Sequence, residues 1–315
     1  MVRVLYIAGS GRSGSTIVDN VLGQVEGVAA VGEVRFLWER GVLGNRLCGC
    51  GEHFGDCPFW QPVMEATTAR DARASDAARM ADLLARGTRA RHVPWLIRAR
   101  RDPSSVGARL DELPEVLGAL YAAIAGRTGA RVIVDSSKLP PYGELLRHVP
   151  GVDVSYVHLV RDPRATAYSW SRAKPLPVRD GGVMQRQSPS KSAALWTLWN
   201  GTAEVLWRRE RDRYLLMRYE DVIAEPRAAF ARMLSLVGEP PDGLPFVSEH
   251  EVALGTTHGV AGNPSRFTTG TVALRADAEW RERMCARDRA IVDAISWPLL
   301  FRHGYGRRGR PSRPS

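Results

Sequence analysis

A glycine-rich turn near the start of the chain constrains its fold most strongly. The turn runs from Gly9 to Thr16 and reads GSGRSGST. It follows an apolar run, Val2–Ala8, and precedes apolar residues that recur at helical spacing. A strand, a glycine-rich turn and a helix start form an anion cradle, because free backbone N–H groups and the positive helix end meet at one point. The sequence therefore predicts an α/β fold with an anion site at this turn.

The turn lacks the lysine that ATP-dependent enzymes place in such a loop. Their pattern is G-x-x-x-x-G-K-[ST]; Gly9 and Gly14 fit it, but Ser15 occupies the lysine position. Arg12 supplies positive charge from inside the loop instead. A kinase or ATPase normally needs that lysine on the β/γ-phosphates, with Mg²⁺ alongside. The loop thus favours a ligand with phosphate or sulfate but no triphosphate chemistry, and a phosphotransferase that uses ATP and Mg²⁺ is the alternative.

Length, composition and charge indicate an ordinary globular protein. The 315 residues suffice for one sizeable core or two small ones, and 44% of them are hydrophobic. No apolar run approaches the ~18 residues of a membrane span, and no secretion signal opens the chain, so we expect a cytoplasmic protein without a membrane partner. The net charge of +10 suits a polyanionic ligand. Because arginine is spread evenly and no basic stripe interleaved with aromatic residues occurs, nucleic acid is not an expected partner.

Strands and helices are predicted to alternate along the chain. The strand candidates are Val2–Ala8, Val28–Val31, Arg131–Asp135, Val154–Val160 and Tyr214–Arg218, and the helix candidates are 15–26, 142–148, 164–172, 191–211 and 226–237. This alternation predicts one domain over 1–305, with a parallel sheet covered by helices on both faces. We further expect a helical insertion at 65–128, a mobile loop at 173–190 and a disordered basic tail at 306–315.

The residues that follow each strand are the candidate site, because ligands of open α/β sheets bind beyond the carboxyl ends of the strands. Glu33 follows the second strand, where it could accept a proton from an incoming hydroxyl or pair with Arg35 on the surface. Lys138 follows the third strand and could neutralise charge on a transferring group. Asp135, just before it, is expected to cap a helix or to pair with Lys138.

A second anion site is predicted after the fourth strand. Arg161 and Ser169 begin and end the segment RDPRATAYS, in which Pro163 fits an early helical position. An arginine and a hydroxyl can together grip a phosphate well away from the first loop. Two anion sites on one sheet imply a ligand with phosphates at two ends. Far downstream, a Gly-Asn-Pro turn is expected to present Arg266 from a loop.

Four segments together resemble the sulfotransferases that use 3′-phosphoadenosine 5′-phosphosulfate (PAPS) as donor. They are GSGRSGST at 9–16, RDPRATAYS at 161–169, RYED at 218–221 and GNPSR at 262–266. The resemblance spans most of the chain. It implies the P-loop NTPase-like three-layer fold and transfer of a sulfuryl group to a hydroxyl or amine. It also implies that no metal is required and that the acceptor is a small molecule, whose identity stays open together with the adenine-stacking residue and the oligomeric state.

The resemblance implies roles for individual residues. Glu33 stands at the position of the catalytic glutamate of tyrosylprotein-type members, Lys138 at their strand-end lysine and Arg35 at a substrate-side arginine. Cytosolic small-molecule members have a histidine base in the segment that corresponds to SSKLP, so this chain departs from that branch. Tyr219 is expected near the nucleotide. The implied donor-binding residues are Gly11, Arg12, Ser13, Gly14, Ser15 and Thr16 around the 5′-phosphate, and Arg161, Ser169 and Arg266 around the 3′-phosphate.

Three cysteines, Cys48, Cys50 and Cys57, lie within ten residues, with His53 among them. Three thiolates and an imidazole can hold a structural zinc ion. The spacing C-x-C-x₆-C is not the usual pair of C-x₂-C knuckles, and partly buried thiols packed near the following aromatic residues are the favoured interpretation. A disulfide is not expected in a reducing cytoplasm.

Overall fold

The computed structural model describes residues 1–100, 112–172 and 186–306. A five-stranded parallel sheet of order β2-β3-β1-β4-β5 lies at its centre. The strands are β1 (Val2–Gly9), β2 (Val28–Ala30), β3 (Val132–Lys138), β4 (Val152–Val160) and β5 (Tyr214–Arg218). Each strand overlaps its predicted segment. The interior strands β1, β3 and β4 are largely buried, whereas Met217 is the one buried residue of the edge strand β5.

Helices cover both faces of this sheet. They are α1 (Ser15–Leu22), α2 (Trp60–Arg70), α3 (Ala77–Gly87), α4 (Val93–Ala99), α5 (Leu113–Thr128), α6 (Pro140–Leu146), α7 (Pro163–Ser171), α8 (Pro189–Trp207), α9 (Tyr219–Ala224), α10 (Pro226–Leu236), α11 (Trp280–Arg283) and α12 (Ala286–Arg302). Shorter 3₁₀ turns span Val34–Phe36, Phe54–Asp56, Ala72–Ser75, Ala90–His92 and Pro264–Phe267, and a π-helical turn spans Leu37–Val42.

Alternate residues of β1 enter two separate hydrophobic cores. Val4 and Tyr6 pack into a core shared with the helices of 60–128, whereas Leu5 and Ile7 pack into a core shared with α1 and α10. Successive side chains of a strand point to opposite faces, so the central strand serves both cores. The predicted three-layer α/β architecture is thereby confirmed.

The predictions for the segments around the sheet can be checked only in part. The described part of the helical segment 65–128 is helical, although its first helix already begins at Trp60. Most of the predicted loop 173–190 lies outside the described residues, and so does the tail after Gly306. No helix in the described ranges has the length and apolar character that crossing a bilayer requires.

Two elements near the end of the chain were not predicted. An antiparallel pair, β6 (Glu251–Leu254) with β7 (Gly270–Ala273), packs on the α1 side of the sheet. Only Val252 and Leu254 of β6 are buried, so the apolar alternation is too short to detect in the sequence. Between these strands the chain passes over the carboxyl edge of the central sheet, where it becomes part of the candidate site.

Candidate active site

Two aromatic rings enclose the glycine-rich loop between β1 and α1. A Cβ atom on Gly11 would lie 2.7 Å from Trp170 Cζ2, and one on Gly14 would lie 2.4 Å from Tyr219 Cδ2. Gly14 also has φ of +93°, a left-handed conformation that favours glycine. The guanidinium carbon of Arg12 lies 4.6 Å from the centroid of the Trp170 ring. The rings therefore fix both the course of the loop and the position of its arginine.

The loop offers several donors to an anion. Because α1 begins at Ser15, its first backbone N–H groups, including that of Thr16, have no acceptor within the helix. Within the described residues, the buried hydroxyls of Ser10 and Ser13 have no hydrogen-bond partner. Buried polar groups are normally paired, so unpaired hydroxyls beside a helix start indicate a site for a bound oxyanion.

Glu33 and Lys138 form an ion pair at the same edge of the sheet. Lys138 Nζ donates to Glu33 Oε1 over 2.5 Å and to the Ser136 carbonyl over 2.9 Å. Lys138 ends β3 with φ of +71°, a conformation that is uncommon for a lysine. The alternative that Glu33 is a surface residue paired with Arg35 is wrong, because Glu33 is buried and its partner is Lys138.

Arg35 points to the helical segment rather than to Glu33. Its backbone N–H donates to the Ser137 hydroxyl over 3.0 Å. Its side chain donates to Thr88 Oγ1 over 3.1 Å and to Glu39 Oε2 over 3.2 Å. Arg35 is thus held in place by side chains on three different elements, next to the site.

Asp135 has a different role from the one expected. It neither caps a helix nor pairs directly with Lys138; it accepts hydrogen bonds from the Tyr121 hydroxyl (2.6 Å) and from the backbone N–H of Ser137 (2.9 Å). Burial raises the pKa of Asp135 to about 6, although these hydrogen bonds oppose the rise. Asp135 therefore joins the end of β3 to helix α5, which carries Tyr121.

Residues 257–267, which we call the strap, run across the edge of the sheet above Glu33. The backbone N–H of Glu33 donates to the Val260 carbonyl over 2.8 Å. Arg266 donates to two backbone carbonyls, one of which belongs to Leu47, over 3.2 Å each. Burial lowers the pKa of Arg266 to about 10, and the negative charge of Glu33 opposes this shift. In this structure Arg266 therefore lies on the Glu33 side of the site.

Arg161 is buried at the end of β4, on the other side of the loop. It donates to the Arg12 carbonyl over 3.1 Å, and its guanidinium carbon lies 4.8 Å from the Tyr219 ring centroid. Because the same ring packs against Gly14, Tyr219 joins the loop to Arg161. Ser169 is buried on α7, and no hydrogen bond joins it to Arg161 within the described residues.

An acidic side chain that the sequence analysis missed pairs with Arg161. Asp277 Oδ2 lies 3.4 Å from Nη2 of Arg161 and 3.1 Å from Nη2 of Arg172, so one carboxylate bridges two arginines. Arg172 also pairs with Glu279. No local pattern links these residues, which lie more than a hundred positions apart. An anionic ligand at Arg161 would compete with Asp277.

The three cysteines of the predicted cluster do lie together, but the histidine beside them is not His53. The imidazole of His53 bonds instead to the Asn45 carbonyl at 2.7 Å. The fourth group comes from the strap. The cluster consists of Cys48, Cys50, Cys57 and His258, whose potential ligand atoms all lie within 4.8 Å of one another.

Comparisons with known proteins agree with this architecture. A sequence model of the sulfotransferase family matches residues 5–242. A search among curated proteins gives no significant match. Among solved structures, the sulfotransferase domain of the olefin synthase of Synechococcus PCC 7002 superposes with a TM-score of 0.54 at 18% identity, over 95% of this chain and 94% of that chain.

Two further solved structures superpose less closely. A sulfotransferase from Mycobacterium avium has a TM-score of 0.45 at 16% identity, over 98% of this chain and 79% of its own. Retinol dehydratase in complex with androsterone and the inactive cofactor PAP has a TM-score of 0.39 at 12% identity, over 94% and 80%. The fold assignment rests on the olefin synthase domain and on the family model.

Proposed function

Because the chain belongs to the sulfotransferase family, we propose that it transfers a sulfuryl group from PAPS to a hydroxyl or amine of a small-molecule acceptor. The observation that carries the proposal is the position of the Tyr219 ring, which contacts both Gly14 of the loop and Arg161. Two candidate anion-binding groups thus contact the same ring. That arrangement suits a nucleotide with phosphates at both its 5′ and 3′ positions.

The loop is proposed to hold the 5′-phosphosulfate end of the donor. The backbone N–H groups at the start of α1 and the hydroxyls of Ser13, Ser15 and Thr16 would face its oxygens. Gly11 and Gly14 allow the close approach, since any side chain there would meet an aromatic ring. Arg12 adds a full positive charge next to the same oxygens.

Arg161 and Ser169 are proposed to hold the 3′-phosphate, beside the Tyr219 ring. Arg161 is buried and oriented by the Arg12 carbonyl, so it can bind without much loss of side-chain entropy. Trp196 Nε1 donates to the Arg161 carbonyl over 2.9 Å and fixes its backbone. Arg266 would reach this phosphate only after turning away from the two carbonyls to which it now donates.

Glu33 is proposed to act as the general base. Its carboxylate takes the proton of the acceptor hydroxyl while the acceptor oxygen forms its bond to sulfur and the sulfur–oxygen bond to the 5′-phosphate breaks. The products are the sulfated acceptor and adenosine 3′,5′-bisphosphate (PAP), and the proton passes from Glu33 to solvent. Proton transfer to a positioned carboxylate typically contributes ~10²–10⁴ in rate.

Lys138 and Arg12 are proposed to neutralise charge on the transferring and leaving oxygens, at about 10²–10³ in rate for each donor. Lys138 now donates to Glu33, so it must exchange this carboxylate for a sulfuryl oxygen when the donor binds. That exchange would leave Glu33 able to accept a proton. Only 9% of the Glu33 side chain is exposed, so a single acceptor group can reach it at a time, and this supports the proposal of a small-molecule acceptor.

Titration calorimetry with PAP, AMP and ATP–Mg²⁺ tests the donor. We expect micromolar binding of PAP and much weaker binding of AMP, because only PAP has a phosphate for Arg161. Equal affinity for PAP and AMP would contradict the second anion site. The second candidate function, a phosphotransferase, is favoured only by the loop itself, and preference for ATP–Mg²⁺ would support it.

Glu33→Gln tests the base, with PAP release from PAPS as readout and a panel of phenols and primary alcohols as acceptors. We expect turnover to be lost while the PAP affinity stays nearly unchanged. Glu65→Gln, on the exposed face of α2, is the matched control and should retain wild-type turnover. If Glu33→Gln turns over normally, another residue is the base.

A further inference from the structure

The cluster formed by Cys48, Cys50, Cys57 and His258 has the dimensions of a tetrahedral metal site. The Sγ atoms of Cys50 and Cys57 are 3.7 Å apart, and Nδ1 of His258 lies 3.4 Å from Cys57 Sγ and 3.7 Å from Cys48 Sγ. Zinc bound tetrahedrally, with bonds of about 2.3 Å to sulfur and about 2.0 Å to nitrogen, separates two sulfurs by about 3.8 Å and a sulfur from a nitrogen by about 3.5 Å. These three separations match the values for tetrahedral zinc, and all four potential ligand atoms lie within 4.8 Å of one another.

We propose that Cys48, Cys50, Cys57 and His258 bind one structural Zn²⁺. The four protein ligands complete the tetrahedral shell, so no position stays open for water or substrate. On binding, the three thiols lose their protons to solvent and the neutral imidazole keeps its second nitrogen protonated. The resulting site has one net negative charge, and Arg127 and Arg266 lie close enough to interact with it.

A disulfide does not account for the cluster. The 3.7 Å between Cys50 and Cys57 is far from the ~2.05 Å of a sulfur–sulfur bond. An odd number of thiols would also leave one cysteine without a partner.

Packing of separate thiols does not account for it either, because an imidazole nitrogen from a distant segment lies among them. Nδ1 of His258 is within 3.7 Å of two of the three sulfurs, although more than 200 positions separate it from Cys48 and Cys57 in the sequence.

The His258 ring is oriented for ligation by its neighbours. It stacks on Phe59 with ring centroids 4.8 Å apart and planes 13° apart, and its carbonyl accepts from Trp60 Nε1 over 2.8 Å. These contacts hold Nδ1 3.4 Å from Cys57 Sγ and 3.7 Å from Cys48 Sγ.

The zinc ion would join the strap to the segment that follows the Glu33 turn. Gly49, inside the cysteine loop, donates its backbone N–H to the Gly259 carbonyl over 3.1 Å. Val260, two residues after His258, accepts from the backbone N–H of Glu33. A metal that fixes residue 258 therefore fixes the strap above Glu33. Its role is to position the site rather than to take part in chemistry.

Metal analysis of the purified full chain tests the proposal without any sulfuryl-transfer assay. Protein produced with added zinc and purified without chelators should contain about one equivalent of zinc. Cys57→Ser and His258→Asn should lower this several-fold. The matched controls are His53→Asn and Cys285→Ser, which replace an exposed histidine next to the cluster and an exposed cysteine far from it, and both should keep the full content.

Cobalt substitution of the wild-type chain removes the dependence on variants that could fail to fold. Tetrahedral Co²⁺ with three thiolates gives intense visible bands and thiolate-to-metal charge transfer in the near ultraviolet, and added Zn²⁺ should abolish both. Wild-type protein with less than about 0.2 equivalent of zinc and no such cobalt bands would overturn the proposal. Loss of metal in His53→Asn but not in His258→Asn would overturn the ligand assignment.

Discussion

The Nζ atom of Lys138 lies 2.5 Å from Oε1 of Glu33, and only 12% and 9% of these two side chains is exposed. The residues are far apart in the sequence, but β2 and β3 pair in parallel, so both strands end at the same edge. Burying two charges costs desolvation free energy, and removing one partner leaves the other uncompensated. The pair is therefore sensitive to any anion that competes for the lysine.

Lys138→Met should lower kcat by about 10²–10³, because it removes a charge that acts on the transferring oxygens. The affinity for PAP, which lacks the sulfuryl group, should change little. Kinetics with PAPS and calorimetry with PAP measure the two effects separately. Lys191→Met, at an exposed position on α8, is the control and should behave as wild type. A large loss of PAP affinity with unchanged kcat would show that Lys138 only helps to bind the nucleotide.

The sheet and half of the site could be predicted because they depend on local patterns. The apolar runs marked five strands, and the rule that ligands bind beyond strand ends selected Glu33, Lys138 and Arg161. The Glu33–Lys138 pairing itself could not be predicted, because it depends on which strands are neighbours. The predicted partners of Asp135 are wrong for the same reason. The hydroxyl that donates to Asp135 belongs to Tyr121 on helix α5, which is distant in the sequence from Lys138.

Contacts made by the last third of the chain were beyond sequence reasoning. His258 reaches Cys48 across 210 positions, and Asp277 reaches Arg161 across 116. His53 was the nearer candidate for the cysteine cluster simply because it lies within the same loop. Only the path of the strap over the sheet decides between the two histidines.

Asp277→Asn should tighten PAP binding about fivefold, because it removes a carboxylate that competes with the ligand for Arg161 and Arg172. A partly exposed ion pair of this kind contributes up to ~1 kcal/mol, which corresponds to that factor. Calorimetric titration at low ionic strength measures the change, which should shrink as salt is added. Glu282→Gln, exposed on α11, controls for the loss of a nearby negative charge. Weaker binding in Asp277→Asn would mean that the carboxylate holds the arginines in place instead.

Gly14→Ala should weaken PAP binding at least tenfold and lower the melting temperature. The added Cβ would meet the Tyr219 ring at 2.4 Å, and φ of +93° costs a non-glycine residue ~1–2 kcal/mol. Gly126→Ala is the matched control: it lies in α5 with open space around it, so the substitution should stabilise the helix slightly. Thermal melts and PAP titration together check both variants, and normal PAP binding by Gly14→Ala would remove the loop from the donor site.

Asp19 is buried on α1, next to the ends of β2 and β3. The Ser136 side chain and the backbone N–H of Gly32, the residue before Glu33, favour its charged form. Burial raises the pKa of Asp19 to about 7, whereas an unfolded aspartate titrates near ~3.9. At a pH between these two pKa values, Asp19 is protonated in the folded chain and ionised in the unfolded chain. The free energy of unfolding should therefore fall as pH rises from about 4 to about 7, and this contribution should level off above that.

Asp19→Asn should flatten this dependence, because the amide stays neutral at every pH and has nearly the same size and shape as the carboxyl group. A single proton contributes a slope of at most about 1.4 kcal/mol per pH unit to the free energy of unfolding, and the variant should lose this slope. Urea unfolding at a series of pH values between 4 and 8 measures it, and the variant should exceed wild type in stability most clearly near pH 8. Asp242→Asn, at an exposed turn, should leave the wild-type profile unchanged. If Asp19→Asn keeps the full slope, the proton is bound elsewhere, and the buried carboxylate of Asp135 becomes the group to test.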